Sequence, residues 1–266
     1  MGFGNTSESD LYSEEKGEGV PILLIHPAGG TASTWGRATD YLAELGRVVT
    51  YDRRGYGRSP REIVRSVARH TADAAALLES LRAAPAVVVG ISMGGLIAVD
   101  LATRRPDLVR SVVAHEAPWR PFRSAPTLSA VAPAAKMVAL ALRGRDSDAV
   151  EVFLRLAYSY RDGGSGWDTF PEKWRTAARD NAEPSLADLR IAMRGSPSQA
   201  EMAKVASPVL CTYGSRSVEG RARMVRSLAR AIPTARALRV DGAGHAAAFE
   251  APDNFVRIVS EAIGAG

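Results

Sequence analysis

The chain has 266 residues, 46% hydrophobic and 24% charged, with a formal net charge of +5. This is enough chain for one large domain with a buried core, and the composition fits neither a disordered protein nor a membrane span, since no apolar run approaches the roughly 20 residues a span needs. The positive balance comes from arginines scattered along the chain, with no block of five or more Lys/Arg, so neither a nucleic-acid footprint nor a membrane partner is expected.

Met1 to Gly19 is polar and acidic and lacks the apolar core of a secretory signal, so a cytoplasmic location is expected. The strings Met1-Gly2-Phe3-Gly4-Asn5-Thr6 and Asn5-Thr6-Ser7 match a myristoylation pattern and a glycosylation sequon, both loose enough to arise by chance. Apolar runs then alternate with helical patterns. Strands are predicted at Pro21 to His26, Val48 to Tyr51, Ala86 to Gly90 and Arg110 to His115. Helices are predicted at Ser33 to Leu45, Ile63 to Leu81 and Met93 to Arg104. This rhythm predicts an α/β fold, a mostly parallel sheet with helices on both faces and functional groups at the carboxyl ends of its strands. His70 falls on an amphipathic helix and reads as a surface residue.

Between Ala117 and about Lys204 the rhythm stops, and prolines break a run of helical segments. The predicted division is a core of residues 1–116 and 205–266 with a helical cap inserted at 117–204. The insertion holds three of the four tryptophans, and Gly163-Gly164-Ser165-Gly166 reads as a flexible joint. Trp119, Phe122, Tyr158 and Trp167 are candidate walls of an apolar substrate pocket, although any helix packed on a sheet buries an apolar stripe as well. Further strands are predicted at Pro208 to Tyr213 and Ala235 to Val240, with helices at Gly220 to Ala231 and Phe249 to Ile263. The single cysteine, Cys211, reads as a buried strand residue, and no internal disulfide can form.

The most informative segment is Gly90-Ile91-Ser92-Met93-Gly94, a G-x-S-x-G motif where a strand gives way to a helix. Such a turn forces the serine into strained backbone angles with its hydroxyl exposed, and only glycine fits at Gly90 and Gly94. The following helix aims unpaired N–H groups at the place where an oxyanion would form.

Together with His26-Pro27-Ala28-Gly29-Gly30, Asp52-Arg53-Arg54-Gly55-Tyr56-Gly57-Arg58-Ser59 and Gly242-Ala243-Gly244-His245, this motif makes the chain resemble the α/β-hydrolase fold family over nearly its whole length outside the insertion. The resemblance implies a cofactor-free, metal-free serine hydrolase acting on a small-molecule carboxylic ester. Ser92 is then the nucleophile and His245 the base, with backbone N–H groups of Ala28 and Met93 forming the oxyanion hole. His26 and Asp52 take structural roles in their loops. Family members commonly carry an aspartate after the strand that ends here at Tyr213, but this chain has Gly214-Ser215-Arg216-Ser217. Glu116, at an alternative strand end, is therefore the candidate acid, with Glu219 and Asp241 as rivals. His115 should point away from Glu116, because strand neighbours alternate faces. Carbon–carbon bond hydrolysis and a non-catalytic binding module are the other readings.

Overall fold

The computed structural model describes residues 9–119, 128–194 and 197–265. The myristoylation and glycosylation strings and Phe122 lie outside the described residues. The strands are β1 (Ser13–Lys16), β2 (Pro21–Ile25), β3 (Arg47–Tyr51), β4 (Ala86–Ile91), β5 (Val109–His115), β6 (Val209–Gly214) and β7 (Ala235–Val240). They form one sheet in the order β1-β3-β2-β4-β5-β6-β7, antiparallel at β1 and parallel elsewhere. The central strand β4, Ala-Val-Val-Val-Gly-Ile, is buried along its length, as a parallel strand covered on both faces must be. β1 was not expected: its sequence Ser-Glu-Glu-Lys lacks an apolar face, which suits an edge strand whose charges discourage further pairing.

The helices are α1 (Arg37–Ala43), α2 (Val67–Ser80), α3 (Met93–Arg104), α4 (Leu128–Ala141), α5 (Asp146–Ala157), α6 (Glu172–Asp180), α7 (Ala182–Arg194), α8 (Gln199–Met202), α9 (Glu219–Ala231), α10 (Ala247–Glu250) and α11 (Pro252–Gly264). The single helix expected over Ser33 to Leu45 is split by Gly36, whose φ of 52° separates a 3₁₀ turn at Ala32–Trp35 from α1. α2 starts later than predicted, at the Ser66 cap, whose hydroxyl accepts from Arg69 N–H.

Period-two alternation sends each strand's side chains to opposite faces. Leu23, Ile25, Val88 and Val112 pack with α2, α3 and α9, whereas Ile22, Leu24, Val87, Val89 and Val113 pack with Trp35, Phe255 and Val259 on the α1 and α11 side. Helices α4 to α8 lie between β5 and β6. A third apolar cluster runs through them, built on Val150, Leu154, Trp167, Phe170 and Leu186, and it reaches the core at Ala246. The Gly163 to Gly166 stretch forms a hydrogen-bonded turn, with Gly166 N–H donating to Tyr158 C=O at 2.9 Å and Gly163 and Gly164 at positive φ.

His70 is buried, contrary to the surface position expected of it. It faces a charge network at the join between α7 and the loop after β3. Arg53 Nη2 donates to Asp188 Oδ2 at 2.6 Å, Tyr56 OH donates to the same oxygen at 2.6 Å, and His70 Nε2 lies 3.3 Å from Asp188 Oδ1. Amphipathic periodicity could not reveal this, because the apolar face of α2 and a buried polar network share one side of the helix. Although burial opposes it, Arg53 and His70 hold the Asp188 carboxyl well below the usual carboxylate range. A depressed acid contributes stability above its unfolded pKa of about 3.9, and that contribution is lost as pH falls towards the folded value. Asp188→Ala leaves Arg53 charged and buried without its partner, so a loss of about 3–5 kcal/mol is expected in urea unfolding at pH 7. A loss under about 1 kcal/mol would show that the pair is not desolvated in solution.

Candidate active site

Ser92 stands between β4 and α3 at φ 54°, ψ −120°, outside the regions an L residue prefers, with its N–H donating to His115 C=O at 2.8 Å and its C=O accepting from Leu96 N–H. Two close approaches force the neighbouring glycines. A Cβ on Gly94 would lie 1.9 Å from the Ile25 carbonyl oxygen at the end of β2, and one on Gly90 would lie 2.1 Å from Gly94 C=O. These contacts press the first turn of α3 onto the sheet and leave Ser92 at the crest. Gly94→Ala is therefore expected to abolish soluble expression or lower Tm by more than 10 °C, whereas Gly220→Ala, with open space around its Cβ, should leave Tm within about 2 °C; thermal melting checks both.

The loop after β2 comes up beside the same helix end. Met93 opens α3, so its N–H is among those with no intrahelical acceptor. Ala28 lies in a turn closed by Gly30 N–H donating to Pro27 C=O at 3.1 Å. His26 supports this turn. Its Nδ1–H donates to Pro27 C=O at 2.8 Å and its Nε2 accepts from Arg53 N–H at 3.0 Å, so both ring nitrogens are committed to loop structure. Burial, and then Arg53, push its pKa down to about 3, which keeps it neutral. Asp52 is likewise structural: its carboxylate accepts from Ala32 N–H at 2.7 Å and Arg58 N–H at 2.8 Å.

The acid and base meet across the ends of β5 and β7. Glu116, at φ 47°, accepts from His245 Nδ1 on Oε2 at 2.6 Å and from Gly214 N–H on Oε1 at 3.1 Å. Both side chains are almost wholly buried. Although burial opposes it, the hydrogen bond from His245 and the charge of Arg221 hold the Glu116 carboxyl far below its ordinary range. His245 is pushed down to about 4 by burial first and Arg221 second, against the pull of Glu116, so it is neutral and basic at pH 7. A carboxylate has no proton to give, so the short contact fixes Nδ1–H on His245 and leaves Nε2 as the free basic nitrogen.

His115 does not turn away from Glu116. The positive φ of Glu116 breaks the strand alternation, and His115 Nε2 comes within 4.0 Å of Glu116 Oε1. The His115 ring bridges Thr212 Oγ1 at 2.9 Å and Gly244 C=O at 3.0 Å, which holds the loop carrying His245. From the other side, Gly244 N–H donates to Glu250, and Glu250 accepts from Tyr160 OH at 2.7 Å. The rival acids are elsewhere: Glu219 pairs with Arg226 and Asp241 with Arg239, both well exposed. Cys211 is buried in β6, and burial pushes its thiol up to about 12.

A cavity of about 40 Å³ adjoins this constellation, with Ile91 and Ala246, the chain neighbours of Ser92 and His245, in its wall. One side is the Pro27 to Thr31 loop, including Ala28; the other is Leu154, Tyr158, Trp167, Phe170, Trp174 and Phe249. Tyr158 packs edge-on to the His245 ring, with centroids 5.1 Å apart. Of the expected pocket residues, Tyr158 and Trp167 are present. Trp119 is not in that wall: it is buried in the core cluster with Leu96, Ile191 and Met202, its indole N–H donating to Pro197 C=O, because the chain turns back over α3 directly after Glu116. Phe249, Glu250 and Arg221 were not singled out in the sequence, where nothing in their local pattern sets them apart. Among the described residues no cluster of three His, Cys, Asp or Glu could hold a metal, and no helix is long and apolar enough to cross a membrane.

A family model described as "Alpha/beta hydrolase family" matches residues 22–258. A protein of Azorhizobium caulinodans named as a carbamate hydrolase, RutD, is 38% identical over 113 residues, 42% of this chain, and the match spans only 43% of that relative's length. The pimeloyl-[acyl-carrier protein] methyl ester esterase of Chromobacterium violaceum is 29% identical over 255 residues, covering 95% of this chain and 97% of the relative. The crystal structure of an enol-lactonase from Burkholderia xenovorans LB400 superposes with a TM-score of 0.77 at 22% identity, over 96% of both chains, a likeness in fold.

Proposed function

This chain belongs to the alpha/beta hydrolase family and is a hydrolase, and we propose that the bond it cleaves is a carboxylic ester, attacked by Ser92 with His245 as base and Glu116 as its orienting acid. The observation that carries the reading is the buried 2.6 Å contact between Glu116 and His245 Nδ1 beside a strained serine. A binding module that had lost its acid would have no use for that pair.

In the proposed cycle, His245 Nε2 takes the Ser92 hydroxyl proton as Oγ bonds to the ester carbonyl carbon. The carbonyl oxygen becomes an oxyanion facing the N–H groups of Met93 and Ala28. Collapse breaks the bond to the leaving alcohol, which takes the proton from His245. Water then gives a proton to His245 and attacks the acyl-enzyme, releasing the acid and restoring Ser92. Glu116 stays ionised throughout and stabilises the imidazolium.

The cavity supports a small, apolar acyl group, since its walls carry neither a charged side chain nor a histidine. The same feature weighs against carbon–carbon bond hydrolysis of dienone acids, whose carboxylate would lie there without a cationic partner. The relative named for cleaving a methyl ester supports the ester reading. Of the stretch expected as a cap, 117–204, Tyr158, Trp167, Phe170 and Trp174 in and between α5 and α6 supply most of the aromatic side of that wall, and Phe249 of α10 completes it.

Intact mass after exposure to a fluorophosphonate tests the reading without a chosen substrate. One phosphonyl addition to the wild type and none to Ser92→Ala is expected, followed by turnover of short-chain p-nitrophenyl esters. An unlabelled wild type, with no ester turned over, would end the proposal.

A further inference from the structure

Arg221 lies on α9, which follows β6, the strand after which the resembled family commonly carries its acid and this chain carries none. Its side chain is 19% exposed. Nη1 approaches Glu116 Oε2 at 3.4 Å and His245 Nδ1 at 3.1 Å, while Nη2 donates to Ala157 C=O and, at 3.5 Å, to Leu156 C=O. Because His245 Nδ1 spends its proton on Glu116 and a guanidinium only donates, the hydrogen-bonding partner for Nη1 is the carboxylate, not the ring. Glu116 Oε2 therefore sits between two donors. The carbonyls of Leu156 and Ala157 close α5, the negative end of that helix, where a cation is favoured. On α9 itself Arg221 occupies the first turn, the end that disfavours a cation, so its own helix does not explain its place.

We propose that Arg221 is a positioning residue that ties the C-terminus of α5 to the acid–base pair, holding Glu116 as an anion aimed at His245 while setting a fixed positive charge beside the base. It touches no reacting atom and acts only through Glu116 and His245, so the proposal rests on the triad reading above. The groups facing His245 are Glu116 and His115 at the end of β5, Arg221 from α9 and Tyr158 at the end of α5, with Glu250 of α10 holding the adjoining Gly244 N–H. Glu116 is the anion that favours the imidazolium, and Arg221 is the permanent cation that opposes it.

The test is the pH dependence, from pH 4 to 9, of the rate of fluorophosphonate addition at Ser92, which needs the neutral base and no known substrate. Replacing Arg221 by methionine removes the cation but keeps the length. Its acidic limb should move up by about one pH unit or more, since a charge at this range shifts a titrating neighbour by roughly 1–3 units. Arg221→Lys keeps the charge and should hold the limb within about 0.5 unit of wild type, while its plateau rate falls because an ammonium cannot span Glu116 and Ala157 in the fixed fork of a guanidinium. Should the methionine variant not fold, Arg221→Gln serves for the neutral arm. A neutral variant with a native melt and a wild-type acidic limb overturns the proposal, as does a lysine variant whose limb moves as far as the neutral one. A wild type that never labels overturns the triad reading instead.

Discussion

Ser92→Ala should lower kcat on the best ester substrate by about 10⁶-fold while leaving substrate binding and the melting temperature close to wild type, an expectation scaled on what removal of a triad nucleophile costs in a serine hydrolase. The size of the effect follows from the lack of a substitute. Cys211 is buried within β6 with its thiol pushed up to about 12, so it supplies no thiolate at pH 7. Alanine keeps the Cβ, the strained turn and the N–H groups of Met93 and Ala28. The residual rate then reports the oxyanion hole alone, on the order of 10³–10⁴ over water. Steady-state kinetics with a calorimetric Kd for a non-hydrolysed ester analogue would separate the two parts. A loss under 100-fold would mean that another group attacks, or that water is activated directly.

Much of the architecture was legible in sequence because the features that build it are local. The Val-rich runs of β4 and β5, the β–α alternation and the Gly-x-Ser-x-Gly turn carry their meaning within a few residues, and β7 and α3 have the bounds that periodicity predicts. Glu116 became the candidate acid through the family resemblance, because the usual place after β6 holds no carboxylate, and the fold brings it to His245 Nδ1. What sequence did not reveal depends on long-range packing. His70 belongs to a network whose partner, Asp188, is 118 positions away, so a helix pattern read alone took it for surface. Trp119 was read as a pocket wall because it belongs to the aromatic-rich insertion, yet the path of the chain after Glu116 buries it in the core. Arg221 resembles any other arginine on an amphipathic helix until α5 and β5 are brought to it.

Glu116→Gln is expected to lower kcat by about 10⁴-fold with little change in KM, in line with the loss of an orienting acid from such a triad. The exchange preserves shape but can reverse the hydrogen bond. In the native site the carboxylate accepts at 2.6 Å and fixes Nδ1–H, leaving Nε2 free to take the Ser92 proton. Glutamine can turn its amide N–H towards Nδ1, which then accepts and leaves the proton on Nε2, the wrong tautomer for a base. The Gly214 N–H donor favours the amide oxygen at the Oε1 position, which turns the NH₂ towards His245, while Arg221, on the Oε2 side, opposes that flip and would face an amide donor there. The loss of the anion also withdraws the pull that raises His245, so burial and Arg221 act on it unopposed. The sign follows: the imidazolium formed in the transition state becomes harder to make, and the acidic limb of kcat/KM moves down from about 4 rather than up. A pH–rate profile measured from pH 4 to 9 thus gives a small rate with a flat acid side if Glu116 is the acid. Near-full activity with an unmoved limb would transfer the role to another carboxylate. Glu250 already accepts from Gly244 N–H and Tyr160 OH and would have to give up the loop that carries His245 in order to orient it.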